Sequence, residues 1–284
     1  MRIAIRHRTT YRYDRPAEYA AQVLRLTPRP HAGLDVLAWN VSSSSGGRLS
    51  SFVDGYGNPS HVHTVIAPHD TVDVLVEGMV DTRDTGGVLE GTDEALPLAA
   101  WLRSTALTAP SADILRLAAT AAASARGRAL LPRLMEETSA QVAYRKGRTG
   151  TATTAAEAAA QGHGVCQDQA HVLVSAARAL GIPARYVGGY LCLDGNTLET
   201  HERLSADGQE EAGHAWAEAW DPERGWVGLD PANATMAGPR HVRTSVGLDY
   251  DTAAPVRGVR RCRRGLHGSE CMTVDVQVSR LAEQ

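Results

Sequence analysis

Three short segments of the 284-residue chain carry residue types that can do covalent chemistry. GHGVCQDQAH, residues 162 to 171, sets Cys166 just behind two glycines and at the head of a long alanine-rich run. GHAWAEAW, 213 to 220, holds His214, and GWVGLD, 225 to 230, ends on Asp230. A thiolate is a nucleophile, an imidazole can take the thiol proton, and a carboxylate can fix the imidazole tautomer. The chain order Cys, His, Asp is no obstacle, because such triads are defined by geometry and role and not by position.

That chemistry needs elements that bring the three together. Cys166, Ala170, Leu173, Ala177 and Leu180 fall on one face of a helix. Gly181-Ile182-Pro183 stops it, so the helix runs from about Cys166 to Leu180 with the thiol in its first turn. Backbone N–H groups there stabilise a thiolate and can receive a developing oxyanion. The glycines at 162 and 164 permit a close approach just before it. HAWAEAW and GWVGLD, joined by DPER, read as a β-hairpin. With Trp220 opposite Trp226, Trp216 faces Asp230 and His214 becomes the diagonal neighbour of Asp230. Taken singly, a buried structural cysteine, a half-buried strand histidine and an Asp-Pro turn would each be unremarkable; their convergence points to a site.

Around these segments, residues 1 to about 85 show short period-two runs separated by Pro, Gly, Asn and Ser, as in an antiparallel β-sandwich. GYGNPS, 55 to 60, has the chemistry of a turn. Helical signals begin near Leu96 and Pro97, continue through Ile114, Leu115 and Ala118, and recur at about 129 to 143. The boundary falls in TRDTGGVLEGTDE, which divides the chain into an N-terminal β-domain, 1–88, and a catalytic core with C-terminal strands, 89–284. A 43% hydrophobic content supports a sizeable core, and a net charge of −3 gives no broad electrostatic reason to bind nucleic acid or an anionic membrane. MRIAIRHRTTYRYDRPAEY has no uninterrupted apolar region, and no stretch approaches 18 apolar residues. With four cysteines in so long a chain, the expectation is free thiols and a cytoplasmic protein.

At these residues the chain resembles the transglutaminase-like superfamily, specifically the bacterial transglutaminase-like proteins described as cysteine protease candidates. The matching pieces are GHGVCQDQAH, ALGIPARYVGGYL, GHAWAEAW, GWVGLDPAN and HVRTSVGLDYDTAAPVRGV, with DGYGNPSHVHTVIAPHDTVDVLVEG resembling the family's N-terminal β-domain. The resemblance implies an α+β, papain-like core with Cys166 as nucleophile, His214 as base and Asp230 as the orienting residue. It implies no metal and no cofactor. Gln169 stands where the family usually has an aromatic residue, and Ala217 and Ala219 where it has branched apolar ones. Those departures bear on the pocket and its substrate and leave the triad untouched.

Tyr144 and Gln161 are candidates for a second oxyanion donor, and Trp216 for a wall of the substrate channel. His61, His63 and His69 with Asp70 lack a convincing ligand set for a metal, and Cys262, His267 and Cys271 read as residues of a late hairpin. Cys192 reads as packing. Three functions stay open: a cysteine-nucleophile enzyme acting on a peptide or carboxamide through a thioester, peptidase or amidase ahead of transamidase; a non-catalytic peptide binder; and a scaffold whose β-domain recruits a partner protein. Iodoacetamide at pH 6 to 7 is expected to alkylate Cys166 faster than Cys192, Cys262 or Cys271. Peptide mapping of the folded protein ranks the four, and equal or slower labelling of Cys166 counts against an activated thiol.

Overall fold

The computed structural model describes residues 1–92, 94–192, 198–203, 213–262 and 269–281, with backbone alone for 198–203. The N-terminal strands are β1 (Arg2–Leu24), β2 (Leu34–Ser42), β3 (Arg48–Val53), β4 (Pro59–Val65) and β5 (His69–Thr82), with a two-residue β6 (Val88–Leu89). Helices α1 (Ala112–Ser124) and α2 (Leu130–Gln141) follow a 3-10 turn at Leu98–Leu102. Next come β7 (Ala143–Tyr144), α3 (Ala155–Gln161), β8 (His163–Gly164), α4 (Cys166–Ala179), β9 (Ala184–Leu191) and β10 (Leu198–Arg203). The chain then runs through β11 (His214–Asp221), β12 (Gly225–Asp230), β13 (Thr235–Met236), β14 (His241–Gly247), α5 (Tyr250–Ala253), β15 (Val256–Cys262) and β16 (Glu270–Arg280).

The N-terminal β-region is wholly antiparallel, and hydrogen bonding links its strands into one sheet around β1. β1 runs unbroken through Pro16, because irregularities between Arg12 and Ala17 and between Ala17 and Tyr19 absorb the interruption. Leu24, Val41, Val74 and Val76, from β1, β2 and β5, close into one buried cluster, so the sheet curls over its own core.

The C-terminal strands correct the expected division of the chain. β15 and β16 pair with β1, Leu24 opposite Val256 and Ile3 opposite Arg280. They complete the N-terminal sheet and not the second one. The reason is apolar complementarity: Ile3, Ile5, Val274 and Val276 share a core with Tyr190 and Val242 of the second sheet.

That second sheet runs β13-β12-β11-β9-β14, with β6 on β12. One of its faces buries Ala217, Ala219, Val227 and Leu229 against α4 and its neighbours α1, α2 and α3. The sequence predicts one apolar stripe on α4, but every residue from Cys166 to Arg178 is buried, because the helix lies between the sheet and the other helices. Several of its polar side chains find internal partners. Gln169 donates to the Val142 carbonyl at 2.6 Å, and Arg178 donates to the carbonyls of Trp101, Ala184 and Leu248.

Two buried histidines tie the layers together. His7 lies 2.8 Å from the Tyr190 hydroxyl and 2.8 Å from Thr9 Oγ1, while His171 Nε2 accepts from the Tyr250 amide at 3.0 Å. Burial lowers both from an ordinary value near 6.5 to about 4. An unfolded chain therefore binds protons first, so stability present above pH 6.5 is lost as pH falls towards 4. Thermal melts should show the decline across that window, with a shallower slope in His7→Gln; a flat profile from pH 7 to 4.5 contradicts the assignment.

Candidate active site

Cys166 opens α4, as its sequence predicts. Gly162 ends α3 in the left-handed region at φ 68, and β7 and β8 pair in parallel, Tyr144 opposite Gly164. At Gly164 a Cβ would lie 2.5 Å from Asp168 Cβ, so only glycine allows that side chain to fold back. The Asp168 carboxylate accepts from the Val165 amide at 2.7 Å and from Thr149 Oγ1 at 2.6 Å, closing the first turn; burial pushes its carboxyl up. Cys166 itself is buried among Ala170, Tyr186, Ala215 and Ala253.

The hairpin has the register read from sequence, with Trp220 opposite Trp226. His214 Nε2 lies 2.7 Å from Asp230 Oδ2. The aspartate does two jobs at once. Its Oδ1 accepts the amides of Ala232 and Asn233 at 3.1 and 3.3 Å, which builds the Asp-Pro turn, while Oδ2 receives side chains. Asn233 Nδ2 donates to Oδ2 at 2.7 Å, and His241 Nε2, from the head of β14, lies 3.0 Å from the same atom. Burial would push the Asp230 carboxyl up, but hydrogen bonds from His214, His241 and Asn233 hold it well below the usual carboxylate range. Asp230 is therefore an anion, and each imidazole presents an Nε2–H to it. The Gly238 amide donates to His241 Nδ1 at 3.1 Å, which fixes the same tautomer independently. For His214 the tautomer leaves Nδ1 as the basic nitrogen, on the opposite side of the ring from Asp230.

Cys166 and His214 line one cavity of about 70 Å³ together with Tyr144, Lys146, Thr149 and Thr151. Tyr144 is thus beside the thiol, half exposed. Gln161 is not: it is exposed at the last residue of α3, where the left-handed turn at Gly162 separates it from the cavity. Trp216 does not wall this cavity. Being inward-facing on β11, it is buried behind the imidazoles, stacked on His214 at 6.0 Å and edge-on to His241 at 5.2 Å. Gln169, Ala217 and Ala219 lie in the core and do not line this cavity.

Sequence reasoning missed His241 and Asn233. The available signals were Asn233 closing DPAN and a histidine opening the alternating run HVRTSVG. Among the described residues, His214, Asp230 and His241 form the one cluster compact enough to hold a metal ion. Its three ligand atoms already satisfy each other at hydrogen-bond distances shorter than ligands around a tetrahedral ion adopt. His63 and His69 are instead bonded to the carbonyls of Gly46 and Ala67, and none of the four cysteines is in a disulfide. His267 lies outside the described residues.

Comparison with known proteins agrees with this architecture. Residues 116–231 match the transglutaminase-like superfamily, and residues 3–81 match the bacterial transglutaminase-like N-terminal region. The chain thus combines a transglutaminase-like core with a bacterial transglutaminase-like N-terminal region. It is 29% identical to an uncharacterized protein of Mycobacterium leprae over 99% of both chains. A 72-residue stretch, 24% of this chain and 10% of the other, is 43% identical to a protein-glutamine gamma-glutamyltransferase of Pseudomonas aeruginosa. The fold superposes on a cysteine protease candidate from Cytophaga hutchinsonii with a TM-score of 0.71 at 18% identity, covering 100% of this chain and 92% of that one.

Nitrogen-15 NMR of the imidazoles should show both His214 and His241 as Nε2–H tautomers near neutral pH. Replacement Asp230→Leu should release His214 into a tautomer mixture while His241 keeps its form through Gly238. A dominant Nδ1–H form of His214 in the unaltered protein is inconsistent with this geometry.

Proposed function

We propose that the chain is a cysteine-nucleophile enzyme that attacks a peptide or carboxamide carbonyl and passes through a thioester. The observation that carries this reading is the His214–Asp230 pair at 2.7 Å, with His214 lining one cavity with the helix-initial Cys166. In the reaction His214 Nδ1 takes the Cys166 proton and the thiolate adds to the carbonyl carbon. First-turn amides of α4 receive the oxyanion, and Tyr144, which lines the same cavity, is the candidate for a second donor. Collapse breaks the C–N bond, the leaving amine takes the proton back from His214, and an acyl-thioester remains. A water molecule, deprotonated by His214, then releases the acid and restores the thiol. Asp230 orients the ring and stabilises its charged form.

Hydrolysis is the favoured outcome because the cavity beside Cys166 is lined by threonines, glycines, Lys146 and a half-exposed Tyr144, which admit water. Amine transfer needs a dry channel for a neutral amine. The likeness of one segment to a protein-glutamine gamma-glutamyltransferase supports amine transfer as the alternative. Four cysteines outside any disulfide fit a reducing, cytoplasmic setting; no helix among the described residues is long and apolar enough to cross a membrane.

A glutamine-containing peptide incubated with and without millimolar methylamine, followed by mass spectrometry, tests this. The expected result is mainly hydrolysis, at the side-chain amide or a peptide bond, absent in Cys166→Ala and reduced about 10²- to 10⁴-fold in a folded Asp230→Asn. A dominant methylamine adduct makes the activity transamidation. Unchanged turnover in Asp230→Asn removes that residue from the mechanism.

A further inference from the structure

The catalytic cavity continues into a second, larger one. A cleft of about 500 Å³ runs between the N-terminal sheet and the second sheet, and shares Thr151, Gly213 and His214 with the cavity that holds Cys166. That volume falls within the roughly 300–1,000 Å³ typical of ligand sites. One wall comes from β9, β14 and α5, the other from β1, β15 and β16. The N-terminal region and the C-terminal strands are therefore part of the path to the thiol.

Its chemistry restricts the occupant. Tyr11, Tyr13, Tyr186, Tyr190 and Tyr250 give it aromatic surfaces, and at β15 the apolar Val259 lines it while 68% exposed. Its charged groups cancel: Arg260 lies 3.4 Å from Glu270 and sits over the Tyr13 ring at 4.8 Å. Among the described residues that line it, one buried side-chain acceptor is left over. Gln22 is only 6% exposed and lines the cleft, yet its Oε1 has no hydrogen-bond partner among the described residues. An unpaired buried carbonyl is costly, and a ligand N–H relieves that cost.

We propose that this cleft binds an uncharged, aromatic- or aliphatic-rich segment of an extended peptide substrate, with a main-chain N–H donated to Gln22 Oε1 and the reacting carboxamide directed past His214 to Cys166. The proposal rests on the catalytic reading only for the direction in which the peptide lies. Binding is separable from turnover, so the two can fail independently.

The test is calorimetry on the full chain carrying Cys166→Ala, with N-acetyl-Leu-Phe-Leu-Gln-Gly-amide as probe and N-acetyl-Gln-Gly-amide as the short control. The long peptide should bind at least tenfold more tightly than the short one. Gln22→Met, close in shape but without the acceptor, should weaken the long peptide about tenfold and leave the short one unchanged. Val259→Asp, an exposed change that does not threaten folding, should also weaken only the long peptide. Equal affinity of the two peptides, or affinity indifferent to both substitutions, overturns the proposal. Absence of turnover by the unsubstituted protein, with this binding pattern intact, counts against the catalytic reading alone.

Discussion

Two imidazoles and an amide converge on one oxygen of a buried carboxylate, and the site is organised around that meeting. Asp230 could not sit uncharged in this position without losing acceptor capacity that His214, His241 and Asn233 all use. Kept anionic, it determines which nitrogen of His214 is basic, and Trp216 behind the rings prevents them from tilting away. Because Oδ1 meanwhile holds the turn that follows β12, backbone and chemistry are anchored by the same side chain. A change there disturbs both.

The thiol depends on a different kind of constraint. α4 is enclosed on every side, so its polar residues serve as internal fasteners to neighbouring chain segments. Enclosure fixes the helix start to within the tolerance of a packed core, and the Cys166 thiol inherits that rigidity. Only its first turn meets a cavity. Reactivity is thus confined to one end of an otherwise inert element.

How much could be read beforehand follows from the range of each interaction. The helix start at Cys166 and the hairpin register were legible because spacing within about 17 residues decides them, and the His214–Asp230 contact followed from that register. His241 was illegible because β14 reaches the site across β9, a neighbour the local pattern does not name. α3 escaped notice since its buried positions are all alanine, although Thr154 and Glu157 form a capping box. Gln161 was misplaced for the same reason. The destination of β15 and β16 depends on a partner more than 230 residues earlier in the sequence, which no periodicity reveals.

That last pairing makes the order of synthesis matter. β1 is translated early, yet one of its edges stays open until residues 270 to 280 arrive. Closing so long a loop is entropically expensive and slow. The helices, β9, β11 and β12 can meanwhile collapse around α4, because the core cluster they share, from Ile114 to Leu229, lies N-terminal to β15. A nascent chain therefore acquires its reactive constellation before it acquires the wall that β15 and β16 supply. Recognition of an extended ligand becomes the final event of folding, and a ribosome-bound or prematurely ended chain would hold its thiol in a shallower, unselective recess.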